Sequence, residues 1–122
     1  MNLDENENEE IHHLSVFYCS ETLISAKVSA DSALTAVCEV LDDESPRERG
    51  FCIIRPPGHH AHADFHQGFC FFNNVALAAK VAASQGKKVL IFDWDIHQAD
   101  GTSEIFYEDK MVMVMSLHRY DD

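Results

Sequence analysis

The stretch Val89 to Thr102, VLIFDWDIHQADGT, constrains this chain more than any other. Val89 to Phe92 has the length and β-branched, aromatic content of a buried parallel strand, and it gives way at once to Asp93, Asp95, His97 and Asp100. Acid and imidazole are therefore concentrated where a strand ends, which in an open α/β sheet is the crevice where ligands bind. If extension persists, alternation sets Asp93, Asp95 and His97 on one side of the chain. Asp95 and His97 make a metal pair by type, since carboxylate oxygen and neutral imidazole nitrogen both suit zinc. A bare D-x-H has a second reading, in which the acids cap a turn and the histidine is structural.

The elements around this strand follow from periodicity and turn residues. Leu23, Ala26, Ala30, Leu34, Val37 and Leu41 recur at helical spacing and predict an amphipathic helix over Thr22 to Leu41, with Ser20 as its cap. Asp42 to Gly50 is a charged loop. Phe51 to Arg55 reads as a short buried strand stopped by Pro56 and Pro57, which cannot donate to a ladder. Gly58, His59 and His60 follow directly. Two adjacent imidazoles behind a rigid Pro-Pro-Gly turn suit proton exchange near neutral pH. His62 and His66 lie on the polar loop beyond, facing solvent or standing behind the site. Asn73 to Ser84 is an alanine-rich helix ended by Gly86, able to pack closely on a sheet. Phe69 either walls a channel or fills core with Phe71 and Phe72. A short helix over Thr102 to Asp109 and a strand over Met111 to Met115 complete the series. Strand, helix, strand, helix, strand implies right-handed crossovers, a parallel sheet and flanking helices. All three strands then release polar residues at one edge: His59 and His60, Asp93 to Asp100, and Ser116 to His118.

Size and charge narrow the classes. The 122 residues, 46% apolar, suffice for one domain. A net charge of -12, from 21 acidic against 9 basic residues, argues against direct nucleic-acid binding and favours either solubility or lysine-rich partners. Residues 1–14 begin MNLDENENEE and read as an acidic, disordered tail, with His12 and His13 on its surface. Cys19, Cys38, Cys52 and Cys70 have no C-x-x-C spacing and read as buried, reduced thiols. No apolar run is long enough for a bilayer and no basic leader opens the chain, so no membrane partner is expected and the location is nuclear or cytoplasmic.

Taken together, RPPGHHA at Arg55 to Ala61, GFCFFNNVALAA at Gly68 to Ala79, DWDIHQADGT at Asp93 to Thr102 and SLHRYD at Ser116 to Asp121 resemble the zinc-dependent histone deacetylase family, class II members most closely. The resemblance implies a partial arginase/deacetylase-like α/β fold over residues 15–122, an incomplete catalytic domain. It implies that Asp95 and His97 are two of three protein zinc ligands. His59 and His60 are then the catalytic histidine pair, with Asp93 and Asp100 as their acidic partners. Gly68 and Phe69 line the channel for an acyl-lysine side chain. Asp93, Asp95, His97, Ser116 and Leu117 surround a monovalent cation, potassium in such proteins, held largely by backbone carbonyls. The implied reaction is hydrolysis of N-acetyl-lysine in histones or other proteins, with other deacetylase or corepressor subunits as further partners.

The departures from the family pattern matter as well. Its third zinc ligand, an aspartate, and its carbonyl-binding tyrosine fall beyond Asp122, so the isolated chain is expected to be inactive. Gln98 and Ala99 stand where the family has histidine and glycine, and alanine there is expected to strain the backbone. The alternative to an enzyme is a non-catalytic deacetylase remnant that binds or regulates partners. An arginase-like dimetal hydrolase is disfavoured because Ala99 occupies the position where D-x-H-x-D needs its second acid.

Overall fold

The computed structural model describes residues 19–120; the expected tail, with His12 and His13, lies outside them. Five elements follow in order: α1 (Thr22–Leu41), α2 (Asn74–Ser84), β1 (Val89–Asp93), α3 (Asp100–Ile105) and β2 (Val112–Ser116). β1 and β2 pair in parallel, with Val89 opposite Val112 and Asp93 opposite Ser116. From α2 onward this is the predicted order of helices and strands, and the pairing is parallel as predicted. The register also sets the ends of both strands level, so the loops beyond Asp93 and Ser116 leave the sheet side by side.

The core is small and built by close approach. Ala76 and Ala79 of α2 lie against Ile91 of β1 and Val112 of β2, and Phe106 closes the end. Alanine on α2 allows the helix to sit low on the sheet, as its composition predicts. Lys80 spans the outside of this core, with Nζ 4.9 Å from the centre of the Phe106 ring and 2.8 Å from Asp109 Oδ2. The Asp109 carboxyl is held below its ordinary range, first by that lysine hydrogen bond and then by the Met111 N–H.

Four expectations change. Phe51 to Arg55 is not a strand: it pairs with nothing in the sheet, and Phe51 and Ile53 are 89% and 91% exposed. The segment keeps the alternation of an extended chain, with Cys52, Ile54 and Pro56 half-buried. Its period was legible, but its partner is a helix: Cys52 Sγ lies 3.7 Å from the Ser32 carbonyl of α1, and Ser29 Oγ donates to the Pro56 carbonyl at 3.0 Å. On α1, the buried face is Ala26, Ser29 and Ala30, while Leu23 is 56% exposed. Ser29 is buried because Asn74 Nδ2 donates to its hydroxyl at 2.9 Å, so a small polar contact, not a leucine stripe, joins α1 to α2. Ser20 does not cap α1; Glu21 stands at the cap position with no side-chain bond. Finally, β1 is half-covered: Ile91 is buried, whereas Leu90 and Phe92 face outward.

Candidate active site

Two elements deliver carboxylates to the histidine pair. Asp93 closes β1, and its Oδ2 lies 2.9 Å from His59 Nδ1. Asp100 opens α3, and its Oδ1 lies 2.6 Å from His60 Nδ1. A carboxylate can only accept, so each ring donates from Nδ1 and keeps Nε2 as its basic nitrogen. The two rings lie 4.1 Å apart between centroids, and His60 lies 5.9 Å from the ring of His97. His59, Asp93 and Asp95 line one cavity, beneath α1 and α2. The structure therefore brings the histidine pair and the D-x-H segment to the same side of the sheet.

Backbone contacts fix this arrangement. The Thr102 N–H donates to the His59 carbonyl at 3.1 Å, tying the start of α3 to the histidine segment. Gly101 permits that approach, because a Cβ there would lie 2.4 Å from the Ala61 carbonyl oxygen. The buried Cys70 sulfur accepts from the His60 N–H at 3.4 Å and sits 3.3 Å from the Gly68 carbonyl. Burial pushes its thiol up to about 11, so Cys70 remains a packing group; of the four thiols expected to be buried, Cys19 and Cys38 are instead exposed and Cys52 is half-buried. Gly68 and Phe69 both have positive φ, 54° and 66°, at the centre of the tight turn that brings the Cys70 N–H to the Gln67 carbonyl at 2.8 Å. Gly68 lies flat on His60, whose Cδ2 would be 2.4 Å from any Cβ placed there. Phe69 is 59% exposed, which removes it from the core.

The D-x-H segment is more open. Asp95 Oδ1 accepts from the His97 N–H at 2.7 Å and lies 3.0 Å from His97 Nδ1, and both side chains are exposed. The Asp95 carboxyl is held below 3.8 chiefly by the His97 N–H, against a smaller opposing effect of burial. For Asp100, burial pushes upward, but the His60 ring and the Gly101 N–H outweigh it and leave the carboxyl lowered. Both shifts have the same sign for stability: a depressed folded value contributes above the unfolded value and is lost as pH falls through the folded one. The urea midpoint of the chain is expected to fall as pH drops below about 4, and less steeply in Asp100→Asn.

Ser116 and Leu117 come beside this segment, as the register requires. The Leu117 N–H donates to the Asp93 carbonyl at 2.8 Å, and the Ala99 N–H to Ser116 Oγ at 3.2 Å. Ala99 shows none of the expected strain. Its φ of -78° and ψ of 64°, with Asp100 N donating to the Gln98 carbonyl at 2.9 Å, make an inverse γ-turn open to any residue. The third helix begins at Asp100, ahead of the predicted Thr102, so Asp100 belongs to its first turn.

Sequence reasoning left His62 either in solvent or behind the site, and missed its partners Gln67 and Glu104. The His62 side chain is only 8% exposed, with Nδ1 2.6 Å from Glu104 Oε2 and Nε2 3.1 Å from Gln67 Nε2. Gln67 in turn donates to Asp100 Oδ2 at 2.6 Å. The one available signal was the spacing of His62 two residues after His60. His66, by contrast, stacks on Phe71 with centroids 5.6 Å apart.

Two imidazole–carboxylate couples gathered beside a D-x-H segment at the end of a parallel strand define a recognisable class. The family model described as the histone deacetylase domain matches residues 1–122. Histone deacetylase 6 of Caenorhabditis elegans is 47% identical over 109 residues, covering 88% of this chain and 11% of that protein. Histone deacetylase 7 of Homo sapiens is 51% identical over 77 residues, 62% of this chain and 8% of its own length. Histone deacetylase 18 of Arabidopsis thaliana is 39% identical over 123 residues, 97% and 18% respectively. Among solved structures, the crystal structure of the HDA15 HD domain superposes with a TM-score of 0.74 at 43% identity, over 79% of this chain and 27% of that one. The chain belongs to the histone deacetylase family, and it spans less than a fifth of the length of these curated relatives.

Proposed function

We propose that the chain carries the histidine pair and two metal ligands of a class II-like, zinc-dependent protein lysine deacetylase, acting on N-acetyl-lysine in histones or other proteins. The observation that carries this reading is the pair of His–Asp couples with rings 4.1 Å apart. Two adjacent bases, each with its own carboxylate, can divide the proton work of amide hydrolysis. One ring takes a proton from the attacking water, and its neighbour, as imidazolium, returns one to the leaving lysine amine. Asp93 and Asp100 hold the tautomers that leave Nε2 of each ring as the working atom.

Asp95 and His97 offer the oxygen and nitrogen donors that zinc prefers, and they fit it as part of a set. A catalytic site takes three protein ligands, and no cluster of three or more His, Cys, Asp or Glu side chains able to hold a metal occurs among the described residues. Zinc bound there would polarise the acetyl carbonyl and acidify a water. Gly68 and Phe69, on the turn against His60, would border the acyl-lysine chain. The carbonyl-rich loop tips at Asp93, Asp95, His97, Ser116 and Leu117 would suit potassium. Substrates are acetylated proteins or peptides, partners include other deacetylase or corepressor subunits, and the setting is nuclear or cytoplasmic, in chromatin regulation. No helix among the described residues is long and apolar enough to cross a membrane.

The two-ligand count supports a second reading, in which the 122-residue chain is inactive alone and serves as a binding or regulatory module. An acetyl-lysine peptide assay with added zinc separates the two. The chain alone is expected to show no turnover. A chimera in which it replaces the matching segment of the nematode deacetylase is expected to hydrolyse the peptide, and His60→Ala to reduce kcat at least about 100-fold. A folded, zinc-loaded chimera that is inactive, or one indifferent to His60→Ala, would sink the catalytic reading; turnover by the chain alone would sink the second.

A further inference from the structure

We propose that Gln67 and His62 are positioning residues for His60, forming with Glu104 a hydrogen-bonded strut that locks the Asp100 carboxylate in place. The inference rests on the reading of His60 as a proton-transfer group. Its starting point is the Gln67 amide nitrogen, which lies 2.6 Å from Asp100 Oδ2 and 3.1 Å from His62 Nε2. That nitrogen has two hydrogens and no acceptor capacity, so both contacts must be donations. A carbonyl oxygen in its place would face a carboxylate oxygen, which excludes the flipped amide. His62 Nε2 is therefore an acceptor, and its proton is on Nδ1, donating to Glu104 Oε2 at 2.6 Å. One assignment satisfies every hydrogen bond, the 3.7 Å between His62 Nε2 and Asp100 Oδ2 being too long for one.

The consequence for Asp100 is mechanical. Its Oδ1 receives His60 Nδ1 at 2.6 Å and the Gly101 N–H at 2.9 Å, while its Oδ2 receives Gln67. With donors on both oxygens the carboxylate cannot turn about its own axis without breaking a charge-assisted bond. Gln67 is held in turn by His62, whose side chain is nearly covered, stacked on Phe65 with centroids 4.0 Å apart and anchored to α3 through Glu104. The strut thus runs from the loop after the histidine pair to the helix that carries Asp100 and braces the two against each other. Such outer hydrogen bonds orient the group that does the chemistry without touching substrate.

The test uses nitrogen-labelled histidine in the full 122-residue chain and reads imidazole tautomers and the His60 Nδ1 proton by NMR. His62 is expected in the Nδ1–H form, the minor tautomer of a free imidazole. Gln67→Leu and His62→Phe, the latter keeping an aromatic ring over Phe65, are each expected to speed exchange of the His60 Nδ1 proton with water about tenfold, the loss of one net hydrogen bond. His62 in the Nε2–H form, or a His60 proton unmoved by both substitutions, overturns the proposal. Should a variant unfold, the tautomer in the unmodified chain decides. The readout does not involve hydrolysis: an inactive chimera with His62 in the Nδ1–H form would sink the deacetylase reading alone, and an active one with the other tautomer would sink only the strut.

Discussion

Gly101→Ala is expected to destabilise the chain by about 3 kcal/mol, in the upper range for forcing extra atoms into a packed site. Helix propensity alone predicts the reverse, since alanine is favoured over glycine by ~1 kcal/mol inside a helix. The clash wins because its targets are backbone: the new Cβ would sit 2.4 Å from the Ala61 oxygen, 2.7 Å from the Ala61 carbonyl carbon and 2.9 Å from that of His60. None of these can swing aside as a side-chain tip could. Relief requires α3 to withdraw from the histidine segment, which lengthens both the Thr102 to His59 bond and the His60 to Asp100 pair. Urea unfolding monitored by circular dichroism measures the loss. Gly50→Ala, where the new Cβ meets Ala36 Cβ at an ordinary 3.5 Å, should change the midpoint little. Equal midpoints for the two variants would contradict the close approach of α3.

Asn73→Ala is expected to cost about 2–4 kcal/mol, combining a lost helix cap with buried groups left unpaired. Its Oδ1 accepts from the Ala76 N–H at 3.1 Å, starting α2, while its Nδ2 donates to the Ala61 carbonyl and to Thr102 Oγ1, both at 3.0 Å. One buried side chain thus joins the helix on the sheet, the histidine segment and the helix bearing Asp100. Asn73→Asp separates the contributions, because it keeps the cap acceptor and loses both donations. It should also place a carboxylate against the Ala61 carbonyl and be at least as damaging. If the aspartate variant matched the unsubstituted chain in urea, the contacts across the centre would be worth little and the cap would carry the effect.

What the sequence made legible was local. The alanine spacing and Gly86 marked α2, the apolar runs marked β1 and β2, and their order implied a parallel pair, because each of these signals is written within a few consecutive residues. The convergence of His59, His60, Asp95 and His97 on one side was expected from three parallel strands sharing an edge, but only β1 and β2 form the sheet; the histidine segment is brought there by contacts from Ser29, Asn74 and Thr102. Phe51 to Arg55 was misread because alternation reports an extended backbone and not its neighbour; α1 lies beside it where a strand was expected. The buried face of α1 was misjudged for a related reason. Hydrophobic spacing ranks Leu23 above Ser29, yet the contact needs a residue small enough for close approach and polar enough to meet Asn74. His62, Gln67 and Glu104 were hidden by distance along the chain: their bonds join residues up to 42 positions apart, and no single window contains them.

The two carboxylates that serve the histidine pair come from opposite ends of one connection, residues 94–99, Asp93 closing β1 and Asp100 opening α3. That segment therefore works as a gauge block: its length fixes the gap between the two acids, and so which imidazole each can reach. Lengthening or shortening it by a residue would leave the strand and the helix intact on either side. It would nevertheless mismatch the acids with their rings, so away from Asp95 and His97 the spacing of this segment matters more than its side chains.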